Sequence, residues 1–255
     1  MQFCLMENIP NYKLTVGALT ALSGLLAAAC IFLGANAVDY NFEAFSEPTL
    51  ILQYAHNRKQ AYWFLLLDMV GYYLLLLPLV FYLHQQYKYH SPWVQLFTFS
   101  GAAYTLVGAI GAAVLTSAWP ELMQQYLSAS KEGQAAIMPL FATITHMVTK
   151  GLWNILEVLF AATWWIGFGL LLHRDNKFIG VLSIIAGVAC LMDSIGTVLG
   201  SGLLSETGVN IYLLSGIIWP IALGIQLIRK SIAQSAPYPS AAGSFTQKEE
   251  GHAEA

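Results

Sequence analysis

The residues of this chain that could do chemistry are few, and four of them lie on one stretch of predicted helix. His146, Lys150, Asn154 and Glu157 follow one another at spacings of four, four and three residues. On an α-helix of 3.6 residues per turn, these spacings put all four side chains on one face. A base, an ammonium group and a carboxyl group on one face could transfer a proton or bind a charged solute.

Two more carboxyl groups, Asp68 and Asp193, lie like Glu157 inside long apolar stretches. Ionisable groups at membrane depth are costly, so they usually face a bundle interior, a water-filled cavity or each other. The helix rise places all three acids roughly 8–12 Å below the same membrane surface, with Asn210 and Tyr212 at similar or shallower depth. We therefore expect a polar cup that opens to the outside of the membrane.

The composition is that of an integral membrane protein. Of 255 residues, 57% are hydrophobic and 10% charged, whereas a soluble domain has about a quarter charged residues. The small net charge of −3 suggests no nucleic-acid partner. The apolar runs predict an all-α, polytopic transmembrane helical bundle of about six spans. These lie near residues 14–37, 61–85, 93–118, 151–173, 178–200 and 208–228.

The predicted organisation is one transmembrane domain, residues 14–230, after a short N-terminal segment, residues 1–13. Residues 231–255 are rich in Ser, Ala, Pro and Gly, which predicts a disordered polar tail. Polar connections are expected at residues 38–60 and 119–150, the second with a short surface helix over residues 121–128. The first span ends in an A-x-A-like sequence, but its apolar stretch is longer than a signal-peptide core. We interpret it as a retained helix.

The distribution of lysine and arginine predicts the orientation. Six of these residues flank the spans on the side of the chain termini, and fewer lie on the other side. Basic residues favour the cytoplasmic side. Both termini are therefore predicted to be cytoplasmic, in a multi-pass protein of the cytoplasmic (inner) membrane. The six residues are Lys13, Lys88, Arg174, Lys177, Arg229 and Lys230.

No recognisable enzyme motif is present. The chain contains no HExxH, GxSxG or Walker sequence and no CxxC pair. A retinal protein is excluded, because the last span has no lysine and six spans are predicted where a rhodopsin has seven. We predict no metal site and no cofactor, and we favour a non-enzymatic function.

Short motifs in several spans resemble an uncharacterised bacterial family of small six-span integral membrane proteins. They are Gly151-Leu152-Trp153-Asn154, then Trp164-Trp165-x-Gly167-x-Gly169, then Trp219-Pro220-x-x-x-Gly224, with Leu77-Pro78 in the second span. The resemblance covers most of residues 14–228. It implies a helical bundle in a bacterial cytoplasmic membrane, and it carries over no catalytic or binding residue.

Three functions remain open at this stage. The first is a binding, sensing or transport module whose acidic cup takes a small cationic or amphiphilic solute. The second is an intramembrane acid/base enzyme that uses Glu157, with His146 or Asp193, on a lipid-like substrate. The third is a structural or regulatory subunit, whose activity lies in a partner. A purely structural role of the acids also stays open, in which Lys150 neutralises one acid and hydrogen bonds satisfy the others. The expected partners are the lipid bilayer and a small-molecule ligand, and homo-oligomerisation stays open.

Overall fold

The computed structural model describes residues 10–235, and their side chains from residue 12 to residue 234. Within this range the chain forms helices and no strand. Six helices are long and apolar enough to cross a membrane, which confirms the predicted all-α, six-span fold. They are Tyr12–Ala37, Pro48–Tyr87, Val94–Ser128, Lys131–Asp175, Lys177–Leu199 and Gly202–Gln234.

Two of these spans, the second and the fourth, are built from several helical pieces. In chain order the α-helices are α1 (Pro10–Ala37), α2 (Pro48–Ile51), α3 (Arg58–Leu67), α4 (Leu77–Tyr87), α5 (Val94–Ser128), α6 (Lys131–His146), α7 (Val158–Asp175), α8 (Lys177–Leu199) and α9 (Gly202–Ser235). Tighter 3₁₀ turns cover Phe42–Phe45, Leu52–Asn57 and Leu74–Leu76. Two π-helical segments, Asp68–Tyr73 and Met147–Glu157, lie inside the second and fourth spans.

The first and last helices pack side by side because small residues let their backbones approach. A Cβ atom at Gly17 would lie 3.0 Å from the Gly224 carbonyl oxygen, and one at Gly24 would lie 2.7 Å from that of Ile217. The Lys13 ammonium group also donates a hydrogen bond to the Gln234 side chain (3.3 Å). The start of α1 and the end of α9 therefore meet at one end of the bundle, here called the terminal end. The opposite end is the loop end.

A folded cap covers the loop end, where the sequence predicts only polar connections. The 35 residues of α5 span about 52 Å, well beyond the roughly 30 Å of a bilayer's hydrocarbon core. Beyond Ser128 the chain reverses into α6, and the Trp119 indole donates to the Thr145 hydroxyl (2.9 Å) across this hairpin. A buried apolar cluster, the cap cluster, joins the hairpin to the segment after α1. It includes Ile51, Leu52, Leu65, Trp119, Phe141 and Val148.

Several helices extend past the predicted boundaries. The expected surface helix over residues 121–128 is the end of α5, and the fourth span begins at Lys131 where the prediction had residue 151. Residues 38–60 hold short helices and the start of α3. Helix α9 runs to Ser235, so residues 231–235 are helical. The rest of the predicted tail, 236–255, and residues 1–9 of the predicted N-terminal segment lie outside the described residues.

The two π-helical segments place two of the three acids. Asp68 begins the first segment and Glu157 ends the second. Both segments are also bonded to neighbouring helices. The Ser23 hydroxyl on α1 donates to the Gly71 backbone carbonyl in the first segment (2.5 Å). In the second segment, the side-chain indole of Trp153 donates to the Gly108 backbone carbonyl on α5 (3.2 Å).

Candidate functional site

The Glu157 carboxyl group lies at the centre of the membrane domain among tyrosine hydroxyls. Only 2% of the residue is exposed. The Tyr73 hydroxyl donates to Glu157 Oε2 (3.1 Å), and Tyr212 Oη lies 3.2 Å from Oε1. Burying a polar group in an apolar interior is costly unless it is hydrogen-bonded. Both carboxyl oxygens of Glu157 meet this condition.

Two further contacts extend the network across the bundle. Tyr212 Oη lies 2.9 Å from the Tyr104 hydroxyl, which donates to the backbone carbonyl of Tyr72 (3.2 Å). The four contacts join both π-helical segments to α5 and α9. Gly108 makes room for this arrangement, because a Cβ atom there would lie 2.0 Å from the Tyr73 ring. We call Glu157 and these three tyrosines, Tyr73, Tyr104 and Tyr212, the carboxyl–tyrosine network.

The number of protons that these hydrogen bonds need indicates the protonation state of the Glu157 carboxyl group. A carbonyl can only accept, so Tyr104 donates to Tyr72, and Tyr212 must then donate to Tyr104. The contact between Tyr212 and Glu157 is then filled only if the carboxyl group carries a proton. With an ionised Glu157, one of the four oxygen–oxygen contacts would have no proton. The complete network is therefore built for a neutral carboxylic acid.

Asp193 belongs to a second polar cluster, where α8 meets α9. The Ser205 hydroxyl donates to Asp193 Oδ1 (2.5 Å), and the Thr197 hydroxyl lies 3.4 Å from the same oxygen. Only 1% of Asp193 is exposed. The helices approach closely here, since a Cβ atom at Gly196 would lie 2.4 Å from the Ser205 nitrogen. This close contact brings Ser205 within reach of the acid.

Asp68 is the acid with the poorest hydrogen bonding. It is 9% exposed, and its Oδ2 atom has no hydrogen-bond partner among the described residues. Its carboxyl group and that of Asp193 both lie close enough to Glu157 for electrostatic interaction. The structure thus brings the three predicted acids into one region. No three His, Cys, Asp or Glu side chains of residues 12–234 are grouped as metal ligands.

Of the other predicted site residues, Tyr212 belongs to the carboxyl–tyrosine network and the remaining four are not buried. Lys150 and Asn210 are exposed, and Asn154 and His146 are partly exposed. Within the described residues, Lys150 forms no ion pair with an acid, so the predicted neutralisation is wrong. The cause is the π-helix over Met147–Glu157. It has more residues per turn than an α-helix, so the spacings that put these side chains on one α-helical face no longer do so.

The predicted open cup is also wrong. All three acids are buried, and along both interrupted spans the cap cluster lies nearer the loop end than the acid does. Leu65 precedes Asp68, and Val148 precedes Glu157. Two pockets of about 340 and 300 Å³ lie elsewhere, one at each end of the bundle, and no acid of the site lines them. The three acids are therefore enclosed within the bundle in this structure.

Sequence reasoning missed Tyr73, Tyr104 and Ser205. The signal for Tyr73 was its position five residues after Asp68 in the same span. Tyr104 lies in a span without a charged residue, where a tyrosine is read as packing. Ser205 lies in a connection that the predicted spans left out, and only the helical hairpin of α8 and α9 carries it to Asp193.

Three tryptophans of the sequence motifs pack together next to the network. Trp164, Trp165 and Trp219 pack edge to face, with ring centroids 4.5–5.7 Å apart, and Trp164 also stacks on Tyr104 (5.6 Å). Their buried indole N–H groups have no acceptor within the described part of the chain. Edge-to-face rings can receive such N–H groups on their π faces. This aromatic cluster braces Tyr104.

Fold and site define a class of protein, a polytopic helical membrane protein with a closed, acid-containing polar centre. The chain matches no family model, no curated protein and no solved structure. The resemblance to an uncharacterised bacterial family therefore stays a prediction.

Proposed function

We propose that this protein is a binding, sensing or transport module for a small cationic or amphiphilic solute, in which Glu157 holds the proton that the solute displaces. We further place it in a cytoplasmic membrane with both termini inside. The lysine and arginine bias supports that orientation. The observation that carries the proposal is the hydrogen-bond count of the carboxyl–tyrosine network.

The charge balance of the centre supports a positively charged occupant. Asp68, Glu157 and Asp193 are buried together, and no lysine or arginine of the described residues pairs with them. A buried carboxyl group must either stay protonated or gain a cation, because an isolated charge in an apolar interior costs many kcal/mol. Protons and amines are the occupants that satisfy this requirement, and an anion would add to the repulsion.

The bundle would have to open so that water and the solute reach the buried acids before a proton is exchanged for a solute. The π-helical segments lie where such a movement would begin, at Asp68 and at Glu157. Segments of this kind often mark functional sites in membrane and soluble helices, since their backbone bonds can rearrange locally. The unpaired Oδ2 atom of Asp68 gives the centre one acceptor ready for a ligand N–H group.

Proton release on ligand addition tests the proposal. The full-length protein in weakly buffered detergent is mixed with a panel of primary, tertiary and quaternary amines, and a pH-indicator dye reports released protons. We expect at least one amine to raise the melting temperature and to release about one proton per bound molecule. Glu157→Gln should abolish the release without unfolding the protein, because an amide cannot lose a proton at neutral pH.

The matched control is Glu206→Gln, which changes an exposed acid on α9. It should release protons as the wild type does. The proposal fails if no amine in the panel shifts the melting temperature. It also fails if Glu157→Gln binds an amine and still releases protons at the wild-type stoichiometry.

A further inference from the structure

A pocket of about 300 Å³ at the terminal end lies between the first turn of α8 and the last turns of α9. One part of its lining is apolar, here called its wall, and includes Phe178 and Ile225, which are 63% and 41% exposed. The exposed residues Arg229 and Lys230 also line the pocket, and we call this basic part its rim. A charged rim over an apolar wall has the shape of a site for an amphiphile.

The positive charge of this rim has no counter-ion in the described part of the chain. No Asp or Glu lines the pocket, and neither Arg229 nor Lys230 pairs with a carboxylate there. Asp175 is close in sequence, but its carboxylate accepts hydrogen bonds from Tyr87 and Gln86 on α4. Lys13 adds to the excess, because it lies close enough to Lys230 for electrostatic repulsion.

Neutral donors would complete the coordination of an anion. The Gln226 side chain lines the pocket and accepts a hydrogen bond from Asn176 (3.2 Å) through its carbonyl oxygen, which leaves its amide N–H groups for a ligand. The first N–H groups of α8 are not available, because Asn176 Oδ1 already accepts from Phe178 and Ile179. An anion here would therefore depend on the two cations and Gln226.

We propose that this pocket binds the phosphate group of an anionic membrane lipid, with an acyl chain along the apolar wall. Arginine and lysine are the usual phosphate-binding side chains. Basic pockets between transmembrane helices bind lipid headgroups. The exposed Phe178 and Ile225 continue the wall towards the surrounding lipid, which favours a lipid over a soluble phosphate.

Lipid-dependent stability of the full chain tests this assignment. The protein is placed in phosphatidylcholine nanodiscs with or without phosphatidylglycerol, and its melting temperature and its retained lipids, by native mass spectrometry, are measured. We expect phosphatidylglycerol to raise the wild-type melting temperature and to remain bound. The double variant R229Q/K230Q should lose most of this shift, because each cation contributes roughly fivefold in affinity, or about 30-fold together.

The matched control is R58Q/K59Q, which neutralises an adjacent basic pair at the loop end. That pair lines the other pocket together with Glu121, whose carboxylate offsets its charge. It should keep the phosphatidylglycerol shift. An equal shift in the wild type and R229Q/K230Q would overturn the assignment. Equal stabilisation by inorganic phosphate in phosphatidylcholine nanodiscs would overturn the choice of a lipid. Neither result depends on the carboxyl–tyrosine network.

Discussion

Among the described residues, Glu157 is bonded by hydroxyl groups and pairs with no cation, so two substitutions can separate its hydrogen bonds from its charge. In Glu157→Gln, the amide oxygen can accept from Tyr73 and the amide N–H can donate to Tyr212. We expect its free energy of unfolding to stay within about 1 kcal/mol of wild type. Glu157→Leu removes the acceptor of the Tyr73 hydroxyl and leaves Tyr212 with only its contact to Tyr104. A buried group that loses its hydrogen-bond partner costs about 1–3 kcal/mol. Unfolding in mixed micelles measures both.

Equal losses of stability in the two variants would contradict the inference that Glu157 is a neutral carboxylic acid. If Glu157→Gln lost as much stability as Glu157→Leu, the wild-type network would require a negative charge. Infrared spectroscopy provides an independent check, since a protonated carboxyl group has its own C=O stretching band. The component of that band that belongs to Glu157 should be lost in Glu157→Gln, whereas the whole band should persist in Glu206→Gln, which alters an exposed side chain.

At the same scale, the acids of the centre and Tyr212 could be predicted from sequence, and the other partners could not. A carboxyl group inside an apolar stretch is conspicuous, which is why Asp68, Glu157 and Asp193 were found. A tyrosine such as Tyr104 is compatible with simple packing, and its hydroxyl gains a role only when the facing helices are known. Lys150 was misplaced because a 3.6-residue period was applied across a π-helical segment.

Among the helices, the contact between α8 and α9 determines the surroundings of Asp193. A Cβ atom at Gly208 would lie 2.5 Å from the backbone nitrogen of Asp193, and backbone cannot move aside as a side chain can. Gly208→Ala should therefore push the helices apart and lengthen the Ser205–Asp193 hydrogen bond. Overpacking of this kind typically costs about 1–3 kcal/mol. The loss should appear as a lower melting temperature in detergent.

Gly202→Ala is the control in the same hairpin, because a Cβ atom there meets nothing within 4 Å. It should melt as the wild type does. Equal melting temperatures for wild type and Gly208→Ala would show that the helices approach less closely than described. The double variant Gly208→Ala/Ser205→Ala is a further test. If both substitutions act through the Ser205–Asp193 contact, the double variant should lose less stability than the sum of the two single losses.

Hydropathy predicts the number of spans but not the full lengths of the helices. It located all six spans, because each needs an apolar run of about 20 residues. It could not show that α5 continues to Ser128 or that helix resumes at Lys131, since those turns are polar enough to resemble a loop. The cap depends on contacts between distant segments, such as Trp119 with Thr145, which no local pattern contains.

For the whole molecule, the two ends of the bundle should lie on opposite sides of one membrane. Six crossings bring the start of α1 and the end of α9 to the same end of the bundle, as the Lys13–Gln234 hydrogen bond requires. The basic residues there predict that this end is cytoplasmic. Cysteine labelling tests this in intact cells. In a Cys4→Ser background, Tyr40→Cys at the loop end should react with a membrane-impermeant maleimide, and Tyr89→Cys at the terminal end should not.

The experiment is well matched because both probe sites are exposed and lie at opposite ends of the bundle. Tyr40 and Tyr89 are 59% and 89% exposed, whereas the native Cys30 and Cys190 are buried and should stay unlabelled. Tyr89→Cys should react only after the cells are permeabilised. If only Tyr89→Cys were labelled in intact cells, the orientation would be the opposite of the predicted one. The lipid-phosphate pocket would then lie at the outer surface. Labelling of both would contradict the crossing between them, because Pro48–Tyr87 must carry the chain from one side of the membrane to the other.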